Sequence, residues 1–324
     1  MNTASKKKEA ARGFLQDRQK ILFLFFLAFL FFMSCTGCSS SQSEKNTAAA
    51  ANKKDAPRDN TPQIYIPDAD GRKVIENPLI TIDISHTDQG YIMAAYHGDS
   101  SDVNIQISGP DSINYMYYIS QKDEYTAMPL SSGDGSYLIS VYENLEGDMY
   151  STVLSEIIDV TLENEFLPFL YSNQFVNFTK DSEAIQRGAQ LAKDCTSDLD
   201  VVTAVYNYVT ENIQYDFEKA SSVTSPYYPD VDETLRTKKG ICFDYSALMC
   251  TMLRTQGIPT KLNIGYAGDI YHAWISVYID SMGWVDNIIK FNGTDWTLMD
   301  PTFASSAGDD FDPESEDYIL MFQR

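Results

Sequence analysis

"KKGICFDYSALMC", residues 238–250, sets a cysteine between a glycine and an apolar run with helical spacing. A thiol at such a junction has three readings: half of a disulfide, a small core residue, or a nucleophile. The N-terminus of a helix favours the thiolate through its free backbone N–H groups and its dipole. There Cys242 also offers its own N–H to a developing oxyanion. The helix is expected to run from Cys242 to about Gln256, stopped by Gly257 and Pro259.

A thiol nucleophile needs a base close by. Of three histidines, His86 and His97 fall in a strand-rich region, and only His272 follows the cysteine. In "YHAWISVYI" (271–279), alternation turns Tyr271, Ala273 and Ile275 to one face and His272, Trp274 and Ser276 to the other. Taken alone, such a histidine is by default a hydrogen-bonded structural one. An acid that orients the imidazole completes the set. Asp300 in "WTLMDPT" stands at a strand end before Pro301, where an aspartate is also a common turn residue. Asp286, one strand earlier, is its rival.

Around these residues the layout is helices first, then an antiparallel sheet, an α+β arrangement. Helices are expected at 182–195 and 198–213, with Asp198 as N-cap of the second. A loop follows at 220–240. Strands are expected at 260–267, 271–279, 283–291 and 295–301. Taken together, "GICFDYSALMCTMLRTQGIPTKLNIGY", "YHAWISVYI" and "WTLMDPT" resemble the transglutaminase-like superfamily over about residues 198–305. The resemblance implies a papain-related fold, with Cys242 as nucleophile, His272 as base and Asp300 as orienting acid. It also implies attack on peptide or glutamine-type amides, with no cofactor. Trp274, Trp296 and Tyr228 are candidates for substrate contacts, and with Trp284 and Tyr227 they are candidates to wall an amine channel. "MGWVDNIIKFNGTD" lengthens the stretch between histidine and aspartate. No metal-loop spacing is present, and "DDFDPESED" (309–317) reads as a solvated acidic tail.

Upstream, residues 62–165 read as an all-β sandwich. "LITIDIS" (79–85), "YIMAAYH" (91–97), "VNIQISG" (103–109), "INYMYYIS" (113–120), "SYLISVYEN" (136–144) and "YSTVLSEIIDVTL" (150–162) are its strands. "GDGSYLISVYEN" resembles the late strands of bacterial immunoglobulin-like modules, and "YYISQKDEY" (117–125) has aromatics that look exposed, most of them expected to be core or edge residues. The second domain is residues 166–324. Residues 39–61 have almost no large apolar residue and read as a tether.

The first 38 residues read as a targeting segment. Six lysines and arginines precede the apolar run "ILFLFFLAFLFFM" (21–33). Thirteen apolar residues suit a signal-peptide core better than a membrane span. "SCTGCSS" follows and resembles a bacterial lipoprotein signal, with Cys38 after Gly37 as the lipidated residue and Cys35 as second choice. The expected location is the outer face of the bacterial cell membrane, held by the lipid. The formal charge is −22, and removal of residues 1–37, with six positive and two negative charges, leaves −26. Such a surface excludes nucleic acid as a partner.

Three functions remain open. The first is a hydrolase of peptide amides, its substrate a peptide or protein with cell-wall peptide among the candidates. The second is a protein-glutamine transglutaminase, and the third a binding module that kept the fold. Cys195 and Cys250 are read as two free thiols, with a disulfide as the alternative.

Overall fold

Strand "VNIQIS" shows how the β region folds: Val103, Ile105 and Ile107 are buried in the core, while Asn104, Gln106 and Ser108 alternate to the other face. Seven more strands build the rest of this region. The structure is a computed structural model that describes residues 58–119, 121–286, 289–291, 296–298 and 318–324, with only the backbone at 289–291 and 296–298. Strands β1 (Val74–Asn77), β2 (Ile80–Asp83), β3 (Tyr91–Tyr96), β4 (Val103–Ser108), β5 (Asn114–Ile119), β6 (Thr126–Pro129), β7 (Gly135–Glu146) and β8 (Met149–Val160) form two four-stranded sheets. Their orders are β1-β2-β3-β6 and β5-β4-β7-β8, and all pairings are antiparallel. Ile80, Ile82, Ile92, Ile105, Ile107, Tyr117, Tyr137 and Ile139 fill the space between them. β1 and β6 were not expected from the sequence. Both have only four residues, and β6 ends on a proline at the sheet edge. Tyr117 is core, as expected for most aromatics of that stretch, and Tyr118 is half-buried.

The second part begins with α1 (Glu183–Ala192) and α2 (Asp198–Asn212). Ser197, not Asp198, caps α2: its hydroxyl accepts from Asp200 N–H, and the Asp200 carboxylate accepts from Ser197 N–H. Asp198 instead pairs with Arg58 at 2.7 Å. β9 (Gln214–Tyr215), α3 (Phe217–Ser222), α4 (Val231–Thr237) and β10 (Lys239–Gly240) follow. The segment expected to be loop thus contains the end of α3 and all of α4, capped by Asp216 and Asp230 side chains.

The central helix α5 (Cys242–Arg254) is buried at every residue from Asp244 to Arg254. A helix surrounded by core needs apolar residues all round, and "YSALMCTML" supplies them. It packs against β11 (Thr260–Ala267) and β12 (Ile270–Ile279). β13 (Gly283–Asp286), β14 (Ile289–Phe291), β15 (Trp296–Leu298) and β16 (Tyr318–Gln323) complete the chain. The main sheet has the order β13-β12-β11-β16, and β14 and β15 form a separate hairpin. β16 was not expected. Its backbone pairs antiparallel with β11 directly after the acidic run.

The two cores are linked at both ends of the described chain. Residues 58–66, placed by the sequence in the tether and first domain, lie against the helices. Arg58 Nη2 donates to Gln256 O, Gln63 N–H donates to Thr255 O, and Ile64 and Ile66 pack on the helical core. Arg324 reaches the sandwich, its guanidinium 4.3 Å from the Tyr117 ring centre and 4.5 Å from that of Phe175. Phe243 and Phe322 touch both cores.

Candidate active site

Gly240 explains why Cys242 starts a helix where it does. Asp244, the third residue of α5, folds back so that its Oδ2 accepts from Ile241 N–H at 2.8 Å. A Cβ at position 240 would lie 2.6 Å from Asp244 Cβ, so only glycine fits. Gly240 also pairs in parallel with Tyr215 in β9, fixing the chain just before the turn. Cys242 is half-buried at the head of α5.

Asp244 is fully buried and does not stand alone. Lys219 Nζ lies 3.1 Å from its Oδ2, and Tyr227 Oη donates to its Oδ1 at 2.5 Å. Lys219 Nζ also donates to Tyr227 Oη at 2.8 Å. Burial disfavours the lysine charge, but the bonds to Tyr227 and Asp244 outweigh it and hold the ammonium above its ordinary range. Burial, with Asp244 beside it, pushes the Tyr227 hydroxyl up to about 12.

His272 is buried on β12, paired in register with Gly265 of β11. Ala273, Ile275, Val277 and Ile279 join the helical core, and His272, Trp274 and Ser276 alternate with them. The imidazole stacks on the Trp274 ring at 6.3 Å and 15°, and Tyr318 of β16 packs edge-on to Trp274 at 5.1 Å. Gly265 leaves room for this, since a Cβ there would lie 3.0 Å from Trp274 Cη2 and 2.0 Å from Ile319 O. α5, which Cys242 heads, packs against β12, the strand that carries His272.

The remaining expected site residues divide. Trp274 is buried beside His272. Tyr228 packs against Phe175 at 5.6 Å, and burial pushes its hydroxyl up to about 12. Trp284 packs on Tyr278 and Phe169, and Lys261 Nζ sits 4.1 Å from its ring. Tyr278 is six residues along β12 from His272, about 20 Å away, so Trp284 does not wall the thiol. Asp286 pairs with Ser276, four residues and about 13 Å along β12 from His272. Asp300, Cys38 and the side chain of Trp296 lie outside the described residues. The other histidines have structural partners: His97 contacts Asp123 and Thr81, and His86 contacts Asp70. Among the described residues, no group of three or more His, Cys, Asp or Glu is placed to hold a metal ion. Lys219 and Tyr227, which support the cysteine helix, were missed as supports in the sequence because their link to Asp244 spans up to 25 positions.

Residues 185–287 match the family model described as the transglutaminase-like superfamily. The chain carries a transglutaminase-like domain. It is 27% identical over 133 residues to the mouse kyphoscoliosis peptidase, covering 37% of this chain and 18% of that protein. It is 33% identical over 118 residues to the Bacillus subtilis protein YebA, covering 30% of this chain and 16% of that one. The chain therefore spans less than a fifth of either relative's length. The crystal structure of red sea bream transglutaminase is similar at a TM-score of 0.29 and 13% identity, over 69% of this chain and 50% of that one. The transglutaminase-like match supports a thiol enzyme in general terms.

Proposed function

We propose that the protein hydrolyses peptide amides through an acyl-enzyme on Cys242. The reading is carried by one observation: Cys242 heads a buried helix, α5, that packs against β12, the strand that bears His272. The Cys242 thiol gives its proton to His272, and sulfur attacks the amide carbonyl. The C–N bond breaks, the amine leaves with the proton from the imidazolium, and a thioester remains. Water then adds to the thioester, His272 takes its proton, and the acid departs as the thiol is restored. Asp300 orients the imidazole.

Water is favoured over an amine as acceptor because Trp284, one of the aromatics that would wall an amine channel, is packed at the far end of β12. The same reading puts the enzyme outside the cytoplasm, attached through a lipid on Cys38, where cell-wall peptide and surface proteins are the substrates in reach. The test supplies a glutamine-containing protein and a labelled primary amine to the protein and to Cys242→Ala. Cleaved or deamidated product without label, absent in the variant, is expected. Covalent label dependent on Cys242 overturns hydrolysis in favour of transfer. Unchanged substrate across a peptide library leaves the binding-module reading.

A further inference from the structure

The outer face of the β5-β4-β7-β8 sheet holds a groove of 430 Å³, within the range of small-ligand sites. Tyr118, Tyr142 and Tyr150 supply its rings, Asn104 and Gln106 its amides, and Met116 part of its floor. It is formed by the alternation that builds the sandwich core, and lies apart from Cys242. We propose that this groove binds a neutral oligosaccharide.

The amides are fixed in a ladder. Ser108 Oγ donates to Asn114 Oδ1 at 3.1 Å, Asn114 Nδ2 to Gln106 Oε1 at 2.7 Å, and Gln106 Nε2 to Asn104 Oδ1 at 3.3 Å. Each amide oxygen is thereby used within the sheet, and the ladder ends on Asn104 Nδ2. Asn104 is 6% exposed and lines the groove, yet its Nδ2 has no hydrogen-bond partner among the described residues. That donor opens to the groove, where a ligand hydroxyl or water can accept from it.

The rings are fixed as well. Tyr150 Oη donates to Asp102 Oδ2 at 2.6 Å, and Tyr118 Oη contacts Met116 Sδ at 3.0 Å. A bulge shifts the β7–β8 register after Val141, so that Tyr142 pairs with Thr152 and Val153 is extra. Bulges re-aim side chains, and this one puts Thr152 into the groove beside Tyr142. Val153 O accepts from Asn77 of the opposite sheet at 2.9 Å, which pins the bulge.

This chemistry selects among occupants. An apolar partner would bury the amide ladder with donors unmet. A peptide strand would add at the outer edges of β5 or β8, beside the groove and not across its face. An anionic ligand meets no lysine or arginine in the lining, and Asp102 stands at the rim. A neutral sugar chain has what remains to be matched: apolar C–H faces for tyrosine rings, and hydroxyls for the free amide N–H groups and the phenol oxygens.

Calorimetric titration of the full chain with cellohexaose, chitohexaose, laminarihexaose and mannohexaose, and with a hyaluronan hexasaccharide as anionic control, tests the proposal. Saturable binding of at least one neutral hexasaccharide is expected, weakened about tenfold or more by Tyr142→Ala and by Tyr150→Ala. Ile157→Ala, on the same sheet outside the groove and 68% exposed, leaves it unchanged. Tyr150 is 43% exposed, so its variant reports even where Tyr142→Ala does not fold. No binding of any neutral hexasaccharide, tighter binding of hyaluronan, or binding indifferent to the tyrosine changes overturns the proposal.

Discussion

Lys219 Nζ and Asp244 Oδ2 form an ion pair at 3.1 Å that ties α3 to the first turn of the cysteine helix. Asp244 is fully buried and Lys219 partly so. Replacing Lys219 by methionine leaves a buried carboxylate with only Tyr227 and Ile241 N–H. The expected loss is about 1–3 kcal/mol at neutral pH, measured by urea unfolding.

The pH dependence of the pair has a definite sign. Lys219 is raised above its ordinary 10.5, and Tyr227 above its ordinary 10.0 to about 12. Both bind protons more tightly folded than unfolded, so their contribution is full below about pH 10 and falls as pH rises through 12. In Lys219→Met this alkaline loss is smaller. An identical alkaline profile in the variant would remove the pair from the account.

The three described cysteines differ in environment, which predicts an order of alkylation. Cys250 is buried within α5, and burial pushes its thiol up to about 12. Burial also raises Cys195, which is half-buried and donates to Leu191 O at 3.4 Å. Iodoacetamide near neutral pH is expected to label Cys242 first, with Cys250 protected until the chain unfolds. Peptide mapping by mass spectrometry reads the order. Labelling of Cys195 ahead of Cys242 would count against a reactive Cys242.

Arg254 is fully buried and donates to three carbonyls: Thr260 O at 2.9 Å, Tyr171 O at 2.8 Å and Arg324 O at 2.8 Å. These lie in β11, before α1 and after β16, so one side chain closes three parts of the chain around the end of α5. Arg254→Met is expected to cost about 3 kcal/mol or more, because two buried acceptors and one part-buried acceptor lose their donor. Arg254→Lys recovers only part, since an ammonium lacks the planar fork. Equal stability of Lys and wild-type proteins would show that the fork does not matter.

The longer elements were legible because each carries its own period. Strands β2–β5, β7 and β8 are runs rich in β-branched and aromatic residues, several of them alternating, and α5 and β12 follow from "CFDYSALMC" and "HAWISVYI". The shorter ones depend on distant partners that a local pattern cannot show. α3 has six residues and α4 seven, too few to be stable alone, and α3 is held by the Lys219 contact to Asp244. Arg58 and Asn60 sit in polar sequence, yet Arg58 binds Asp198 and Asn60 donates to Cys195 O across 135 positions. Cys242, Gly240 and His272 were legible as site candidates for the same local reason: a helix head and a strand. Lys219 and Tyr227, reached only through Asp244, were not legible as supports.

Attachment at the membrane rests on "TGC" after the apolar run at 21–33. Cys38→Ala is expected to move the protein from the membrane fraction to the medium or to block its processing. Fractionation unchanged, with the mature chain starting elsewhere, would defeat the lipid anchor. Transfer of the effect to Cys35→Ala would shift it to the second candidate.

The acid that orients His272 is the last point open to a direct comparison. Asp286 is exposed, and the β12–β13 register sets it opposite Ser276, about 13 Å along the strand from His272. A carboxylate at that distance cannot accept from the imidazole. Asp286→Asn is therefore expected to leave turnover within a few fold of wild type. Asp300→Asn is expected to leave the fold intact, by circular dichroism and melting, and to lower turnover by orders of magnitude, about 10⁴ in the serine-protease counterpart. The loss should fall on kcat rather than KM, because the imidazole is misdirected while substrate contacts persist. A crippled Asp286→Asn beside a mild Asp300→Asn would reverse the assignment.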